Sequence, residues 1–399
     1  MSVFLVCVAV LVGLPSIAFP FGPDQGLYFY VGREWLHGSI PYRDVFDHKT
    51  PGIYVVHAVC ILLLGEHTSS IRVADLLCVL ALGAIVARLA TPRSAPVPRG
   101  FIGLGCGISS MLHYGFFNFW DTAQTEIWYT TLGLAAITAA RQVHSLRNAA
   151  LAGGVLGGLA LLMKPPSVWY VGVAFVVLLL RLREGGKPFR IGPYVRASLQ
   201  FGVAAAAVIA VTLAYFAVHH ALGAMIDIVV GANRYYIEHE RGVSTLGEAL
   251  ERFRHVWEIF FPISALFVLV PFAALAANFA GRGEGLGSQY ILAAALLVAG
   301  VGALAMQQKF YWIHWFTTMG AVTFLFIVAS NHIRLILRER IAENAIVLAC
   351  ALVIGVAFAT SHACKHRLQE PGEWVYALWT GAMPREAFAK KFVVEDFQF

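Results

Sequence analysis

The 399-residue chain is 59% hydrophobic and only 13% charged, about half the charged share of a soluble domain, and its mean hydropathy is +0.70. A soluble fold of this size could not cover its surface with so few charges. The composition therefore predicts helices packed in lipid. The apolar runs are continuous and do not alternate, which excludes a transmembrane β-barrel. The net charge of +6 is not gathered into a basic cluster, so no nucleic-acid partner is expected.

Eleven long apolar stretches follow one another along the chain, several of them short for a hydrocarbon core about 30 Å thick. We interpret the first as an uncleaved helix, because no basic residues precede it and no clean cleavage site follows it. A twelfth apolar run, residues 51–65, is short and opens with Pro51. The eleven stretches lie at 1–19, 68–90, 101–117, 126–140, 148–163, 167–182, 198–218, 256–280, 288–306, 311–330 and 345–361.

The charges of the loops indicate the side of the membrane on which each loop lies. If residues 51–65 do not cross and the N-terminus is cytoplasmic, the cytoplasmic loops hold 14 Lys and Arg against four Glu. This arrangement obeys the positive-inside rule, whereas a crossing by residues 51–65 would place the basic loops outside. The sequence therefore predicts an all-α polytopic membrane protein with about 11 transmembrane helices, N-in and C-out.

The polar segments divide this predicted architecture further. We expect a transmembrane domain over residues 1–361, with a first outer loop at 20–67, and a short outer tail at 362–399. Residues 26–37 combine aromatic side chains with a few charges, which is typical of a helix lying at the membrane surface. Membrane lipids are therefore expected partners of the chain.

Ionisable residues are concentrated at the outer ends of the predicted spans. In the first outer loop they are flanked by Trp and Tyr, so the loop is expected to lie on the bilayer, where ionisable groups are costly and usually functional. The alternative interpretation is an ordinary solvated loop. The ionisable residues concerned are Asp24, Arg43, Asp44, Asp47, His48 and Lys49.

Three further motifs carry charged residues at helix ends. FNFWDTAQTEIWY places Asp121 and Glu126 at the start of a helix, where acids also serve as simple caps. QQKFYWIHW contains Lys309 and His314, for which the alternative is a snorkelling lysine and an interfacial histidine. LLMKPPSVW ends a span at Lys164 before two prolines, and we interpret it as a hinge in preference to a site.

Together these motifs resemble those of the GT-C membrane glycosyltransferases, and the branch that they resemble most is the bacterial one akin to protein O-mannosyltransferases and lipid A aminoarabinose transferases. The most specific piece is GxxPYRDxFDHKTPG within residues 37–52. The other pieces are Asp24-Gln25-Gly26, DxxxTExWY, KPP and QxKFYxxHW, which extend the resemblance from residue 22 to about residue 325.

The resemblance implies an inverting glycosyltransferase of the bacterial inner membrane and cell envelope. Its donor would be a polyprenyl-phosphate sugar, its acceptor a lipid, glycan or protein, and its active site would face the periplasm. Asp24 would be the catalytic base. The donor phosphate would be bound by Lys49, Lys309 and Arg43, and the substrates by Asp47, His48, Asp121, Glu126 and His314.

The chain also departs from this family in two ways. Many relatives carry a second acid directly after the one that Asp24 matches, but here the residue is Gln25. We therefore predict no metal site and no cofactor. Relatives often continue into an outer globular domain, whereas residues 362–399 match only the beginning of such a region.

Two other functions remain open on the sequence. A flippase or transporter of lipid-linked saccharides would need polar residues through the middle of several spans. An enzyme like the O-antigen ligases would use a diphosphate-linked oligosaccharide and a large outer loop with Arg and His, as in residues 219–255.

Overall fold

A computed structural model of the chain describes residues 2–183, 190–239, 245–259, 287–308, 310–337, 343–361 and 364–392. Over these ranges the structure is built of helices, and an isolated β-bridge joins Pro41 to Val45. The predicted all-α fold is therefore confirmed. The predicted span at 256–280 lies mostly outside the described residues.

The first half of the chain folds into a series of helices joined by short connections. Leu14–Ala18 and Pro165–Ser167 add single 3₁₀ turns to this series. The α-helices are α1 (Ser2–Gly13), α2 (Pro23–Leu36), α3 (Gly52–Leu64), α4 (Thr68–Leu89), α5 (Arg99–Phe116), α6 (Thr125–Gln142), α7 (Leu146–Met163), α8 (Val168–Leu180) and α9 (Ile191–Val218).

The second half contains shorter helices together with two long ones. A 3₁₀ turn, Trp312–Trp315, precedes the longest of them. The helices are α10 (Leu222–Ile226), α11 (Asn233–His239), α12 (Leu246–Ile259), α13 (Gly287–Met306), α14 (Phe316–Leu337), α15 (Glu343–Ala359), α16 (Glu370–Trp379) and α17 (Arg385–Lys390).

Six helices of the described chain are long and apolar enough to cross a membrane, which identifies an integral membrane protein. A seventh span is possible by length if the bent pair Ser2–Ala18 and Pro23–Leu36, which meet at 77°, is counted as one. The predicted number of 11 spans and their orientation stay predictions. The six are Thr68–Leu89, Leu146–Met163, Pro165–Arg183, Ile191–Val218, Gly287–Met306 and Trp312–His332.

Helix α3 is too short to span a bilayer. Its 13 residues extend about 20 Å at the α-helical rise, against a hydrocarbon core of about 30 Å. It packs beside α2, α4 and α7. This length agrees with the prediction that residues 51–65 do not cross.

Small residues allow the helices to pack closely. On α7, Gly154 and Gly158 face the backbone of α9, where a Cβ atom would collide with the chain at Phe201 and Ala205. Close backbone approach of this kind is a common way for helices to associate in lipid, where no hydrophobic effect drives them together. These two glycines therefore serve helix packing.

The connections between the helices fall at two ends of the bundle. At one end, Arg88 and Gln142 join the α4–α5 and α6–α7 connections through a hydrogen bond of 2.9 Å, and Arg181 donates to the carbonyl of Ala140. At the other end lie the connections that contain the predicted site residues. The basic end and the candidate site are thus separated by the length of the bundle.

The described part of the C-terminal tail folds back onto this second end. Val375 of α16, Phe388 of α17 and Phe392, which follows α17, form a small apolar cluster with Phe19, which lies just before α2. The division of the chain at residue 361 stays a prediction, but the tail is packed against the transmembrane part and not separate from it.

Candidate active site

The segment Asp47–Lys49 is held in one conformation by the residues around it. The hydroxyls of Tyr42 and Tyr54 donate to the Lys49 carbonyl at 2.8 and 3.2 Å. The buried Asp47 carboxylate accepts the backbone N–H of His48 at 2.6 Å. The aromatic residues of the predicted motif therefore fix the backbone from which Lys49 projects.

The next residues of the motif bring this segment to the end of α7. The Thr50 hydroxyl donates to the Met163 carbonyl at 2.7 Å. Gly52 lies directly against the backbone of the same turn, where any side chain would collide. Because α7 ends at Met163, the next residue, Lys164, comes within electrostatic reach of Lys49.

Lys164 lies in the centre of a buried polar cluster. Its ammonium donates to the Glu126 carboxylate and to the Gln307 side-chain carbonyl, both at 2.6 Å. The second oxygen of Glu126 accepts the Thr125 hydroxyl at 2.8 Å, and the His314 ring lies 4.0 Å from the first. The KPP segment and the motifs that contain Glu126 and His314 therefore meet at one place, within electrostatic reach of Lys49 in the first outer loop.

Asp24 occupies the first turn of α2, where the helix dipole favours a charged carboxylate. Its side chain is exposed and lies within electrostatic reach of Asp47, His48 and Lys164. Among the described residues it accepts no hydrogen bond and forms no ion pair. The carboxylate is thus free to accept a proton from a bound molecule.

Lys49 is the corresponding available cation. Its ammonium lies 3.2 Å from the His48 ring and forms no ion pair with the described residues. Burial and the neighbouring Lys49 charge lower the pKa of His48 to about 4, so this ring is neutral at neutral pH. Burial raises the pKa of Asp47 above its ordinary value, although Lys49 opposes the shift. Lys49 therefore faces a neutral ring and an acid whose charge is disfavoured.

A buried arginine fixes the start of α2 against the connection between α5 and α6. Arg72 donates to the Gln25 side-chain carbonyl at 2.7 Å, to the Pro20 carbonyl at 2.6 Å and to the Phe119 carbonyl at 2.9 Å. The Gln25 amide in turn donates to the carbonyls of Phe119 and Thr122. A carboxylate at position 25 could not donate these two bonds, so the departure from the family pattern has a structural role here.

Two predicted residues lie away from the cluster of Lys49 and Lys164. Arg43 pairs with Asp44 at 2.8 Å and donates to the His219 carbonyl at 2.8 Å. Asp121 is buried, accepts the Asn118 N–H at 3.2 Å and lies within electrostatic reach of Arg367. Lys309 lies outside the described residues.

The residue that joins the motifs is Lys164, for which the sequence favours a hinge over a site. The helix does break there, but the Lys164 side chain also bonds the partners of the cluster. Lys164 is an isolated positive charge at a predicted outer helix end, which is contrary to the positive-inside rule. This was the signal in the sequence that pointed to a site. Gln307 and Arg72 carried no signal of this kind.

Backbone strain is concentrated at the same end of the bundle. Five non-glycine residues of the described chain have positive φ, and all of them lie in connections at this end. Such conformations persist only where the surroundings impose them, and they are often found at functional sites. The residues are Tyr42, Ala123, His220, Gln308 and Phe310, with φ of 70°, 54°, 53°, 58° and 50°.

Comparisons with known proteins find a similarity in structure and none in sequence. No family profile and no curated protein match the chain. A solved structure of the oligosaccharyltransferase of Archaeoglobus fulgidus, tethered to an acceptor peptide by a disulfide bond, is similar with a TM-score of 0.49 and 11% identity over 97% of this chain. This chain spans 58% of the length of that protein. A similarity of this size does not establish a common fold.

Proposed function

We propose that the chain is a GT-C-type glycosyltransferase that moves a sugar from a polyprenyl-phosphate donor to a lipid, glycan or protein acceptor at the outer face of the membrane. One observation carries this proposal. An unpaired carboxylate, Asp24, and a cation without an ion pair among the described residues, Lys49, lie in one cluster at one end of a membrane-embedded helix bundle. These are the two charges that transfer from a phosphate ester requires.

The proposed reaction uses Asp24 as a general base. The acceptor hydroxyl gives its proton to the Asp24 carboxylate while its oxygen attacks the anomeric carbon of the donor sugar. The bond from that carbon to the phosphate oxygen breaks, and its electron pair leaves with the polyprenyl phosphate. Attack on the side opposite the phosphate inverts the anomeric configuration.

The lysines would stabilise the leaving phosphate. Lys49 can donate hydrogen bonds to the phosphate oxygens, and such charge-assisted bonds are the strong ones. Lys164 is within electrostatic reach of Lys49, and its bonds to Glu126 and Gln307 hold the helix ends beside the proposed phosphate site. His48 would contribute as a neutral ring, and His314 as a second ring beside Glu126.

The position of the cluster suits a donor of this kind. A polyprenyl phosphate keeps its chain in the hydrocarbon and its phosphate at the surface. The cluster lies at helix ends and in the connections between them, which is where the phosphate would be. The proposed periplasmic orientation and inner-membrane location follow from the charges of the opposite end, which holds Arg88 and Arg181.

A transfer assay separates this function from the two alternatives. Purified protein in detergent is mixed with a radiolabelled polyprenyl-phosphate sugar and a membrane extract from a strain lacking the gene. We expect the label to pass to a product that no longer carries the polyprenyl chain. A flippase would leave all label on the donor, and a ligase-like enzyme would consume only a diphosphate-linked oligosaccharide. Either of those results contradicts the proposal.

A further inference from the structure

A separate cavity lies between the tail helices and the connection that follows α5. Its volume is about 130 Å³, and it is open on one side. Five of its ten lining residues are Phe or Trp, and the others include Arg367 and Lys391. The residues that matter here are Phe19, Phe119, Trp120, Trp374, Phe392 and Lys391.

The cavity is large enough for only part of a sugar. An apolar cavity of about 150 Å³ holds a single benzene molecule, so a volume of about 130 Å³ can receive one face of a six-membered ring, whose substituents would extend through the open side. The flat faces of Trp and Phe offer contact area for the C–H face of a sugar ring and lose little side-chain entropy when they bind. The wall therefore suits a single pyranose.

The charge at the edge of the cavity is positive. The Lys391 ammonium lies over the Trp374 ring at 5.5 Å and forms no ion pair with the described residues. Arg367 also lines the cavity, with its guanidinium 4.8 Å from the Trp312 ring centre and a hydrogen bond to the Phe116 carbonyl. Glu370 is bound to His366 at 3.0 Å, and Asp121 lies within electrostatic reach of Arg367, so the available positive charge among the described lining residues is that of Lys391. An anionic group on the ring would therefore be favoured.

The cavity adjoins the candidate active site through two chain segments. The backbone of Trp120 touches Gly22, and Asp24 follows two residues later. On the other side, Arg367 stacks on Trp312, two residues before His314. One wall of the cavity is therefore in contact with the segment that leads into α2.

We propose that this cavity is an acceptor subsite for a sugar ring that carries a carboxylate or a phosphate. The assignment of the cavity to the acceptor rests on the proposed function, but binding of the sugar ring does not depend on sugar transfer. Lys391 binds the anionic group, and the rings of Trp374 and Phe392 contact the sugar face. The ring belongs either to a glycolipid headgroup or to a soluble glycan.

Binding of simple probes to the full chain tests this assignment. Glucuronate, glucose 6-phosphate, glucose and inorganic phosphate are titrated into the detergent-purified protein by saturation-transfer NMR and calorimetry. We expect the two anionic sugars to saturate with a dissociation constant of about 1 mM, which is ordinary for a ligand with so few atoms. Glucose and phosphate should each bind about tenfold more weakly, because each lacks one of the two recognised features.

Two neighbouring lysines provide a matched pair of variants. Lys391→Gln should weaken glucuronate binding about tenfold, whereas Lys390→Gln, which changes an exposed residue outside the cavity, should leave it unchanged. Equal binding of glucose and glucuronate, equal effects of the two variants, or no saturation at about 10 mM would each overturn the proposal.

Two further experiments identify the source of the sugar ring and test the subsite separately from the proposed function. If a glucuronosyl diacylglycerol in nanodiscs binds and the binding depends on Lys391, the ring belongs to a lipid headgroup. If only free glucuronate binds in this way, the ring belongs to a soluble glycan. Asp24→Asn should bind glucuronate normally. If binding persists while the wild-type protein transfers no sugar, the subsite stands and the glycosyltransferase proposal fails.

Discussion

The two carboxylates of the first loop that face the lysines have opposite environments. Asp24 is exposed at a helix start, while Asp47 is 2% exposed and accepts the His48 N–H. Burial raises the pKa of Asp47, which disfavours its charge. A base must combine access to the acceptor with a free lone pair, and of the two only Asp24 has both.

Replacement of Asp24 by Asn tests the proposed base. The amide keeps the size of the side chain but cannot accept the proton, so turnover should fall by about 10²–10⁴-fold while folding and donor binding persist. The measurement is the initial rate of sugar transfer. Glu34→Gln, at the far end of the same helix, is the control and should transfer at the wild-type rate. Near-normal turnover in Asp24→Asn with loss in Asp121→Asn or Glu126→Gln would move the base to the second outer loop.

Lys49 should contribute to donor binding. A hydrogen bond to a charged group is worth about 1.5–3 kcal/mol, so Lys49→Ala should weaken binding of the polyprenyl-phosphate donor roughly tenfold or more. Equilibrium binding of labelled donor measures the effect. Lys365→Ala removes an exposed lysine of the tail and serves as the control. Unchanged affinity in Lys49→Ala would remove this residue from the phosphate site.

The buried Asp121 should make stability depend on pH. Burial raises the pKa of Asp121 from an ordinary value near 3.8 to about 6, so the folded chain holds this proton more tightly than the unfolded chain. The free energy of unfolding therefore falls as the pH rises from about 4 to 6, by about 3 kcal/mol, and is level above that. Asp121→Asn removes this contribution and should be the more stable protein at pH 7.

Unfolding of both proteins in detergent between pH 4 and 7 measures the difference. The wild-type and variant curves should diverge as the pH rises through this window. Curves that stay parallel would show that Asp121 keeps an ordinary pKa in the folded chain.

At the scale of elements, the ion pair of Lys164 and Glu126 joins the ends of three helices. Lys164 follows α7, Glu126 is in the first turn of α6, and Gln307 follows α13. Glu126 is 1% exposed, so removal of its partner leaves a buried charge without compensation. The pair therefore contributes to the geometry of the site through the relative positions of these helices.

Lys164→Met should be strongly destabilising for this reason. Breaking a buried pair by removing one partner costs about 3–5 kcal/mol, which thermal unfolding in detergent detects as a lower midpoint. The double variant Lys164→Met, Glu126→Gln removes both charges and should recover much of the loss. If the single and double variants unfold at the same temperature, the pair does not hold these helix ends together.

The connections at the site end also share a strained backbone. Ala123 has φ of 54°, and its N–H donates to the buried Asp75 carboxylate at 2.9 Å. Asp75 accepts two further bonds, from Tyr114 at 3.0 Å and from the His113 ring at 2.9 Å. A buried acid on α4 therefore sets the conformation of the connection that leads to Glu126.

For the whole molecule, orientation in the membrane is the main prediction. In a Cys7→Ser background, Asp44→Cys at the site end should react with an impermeant maleimide in intact spheroplasts. Arg147→Cys at the basic end should react only after permeabilisation. Both positions are exposed, so access through the protein does not limit the reaction. The reverse labelling pattern would invert the predicted topology and place the site in the cytoplasm.

The sequence by itself determined the helical membrane fold, and it predicted that residues 51–65 do not cross and which loops carry the candidate site. These properties depend on local hydropathy, length and charge, which can be read along a single segment. Even so, the sequence could not show whether Lys49 or Arg43 is the better candidate for binding the donor phosphate, because both are basic residues of one loop. In the structure Arg43 is paired with Asp44 and Lys49 has no such partner among the described residues.

Only the tertiary structure decided that Lys164 joins the motifs. Its two partners, Glu126 and Gln307, are 38 and 143 residues away in the chain. Whether such groups meet depends on how the helices pack and on contacts such as that of Gly52 with the end of α7. The same holds for Gln25, whose buried bonds to Arg72 and Phe119 make it a structural residue. Hydropathy carries no information about these distances, because packing sets them after every helix has formed.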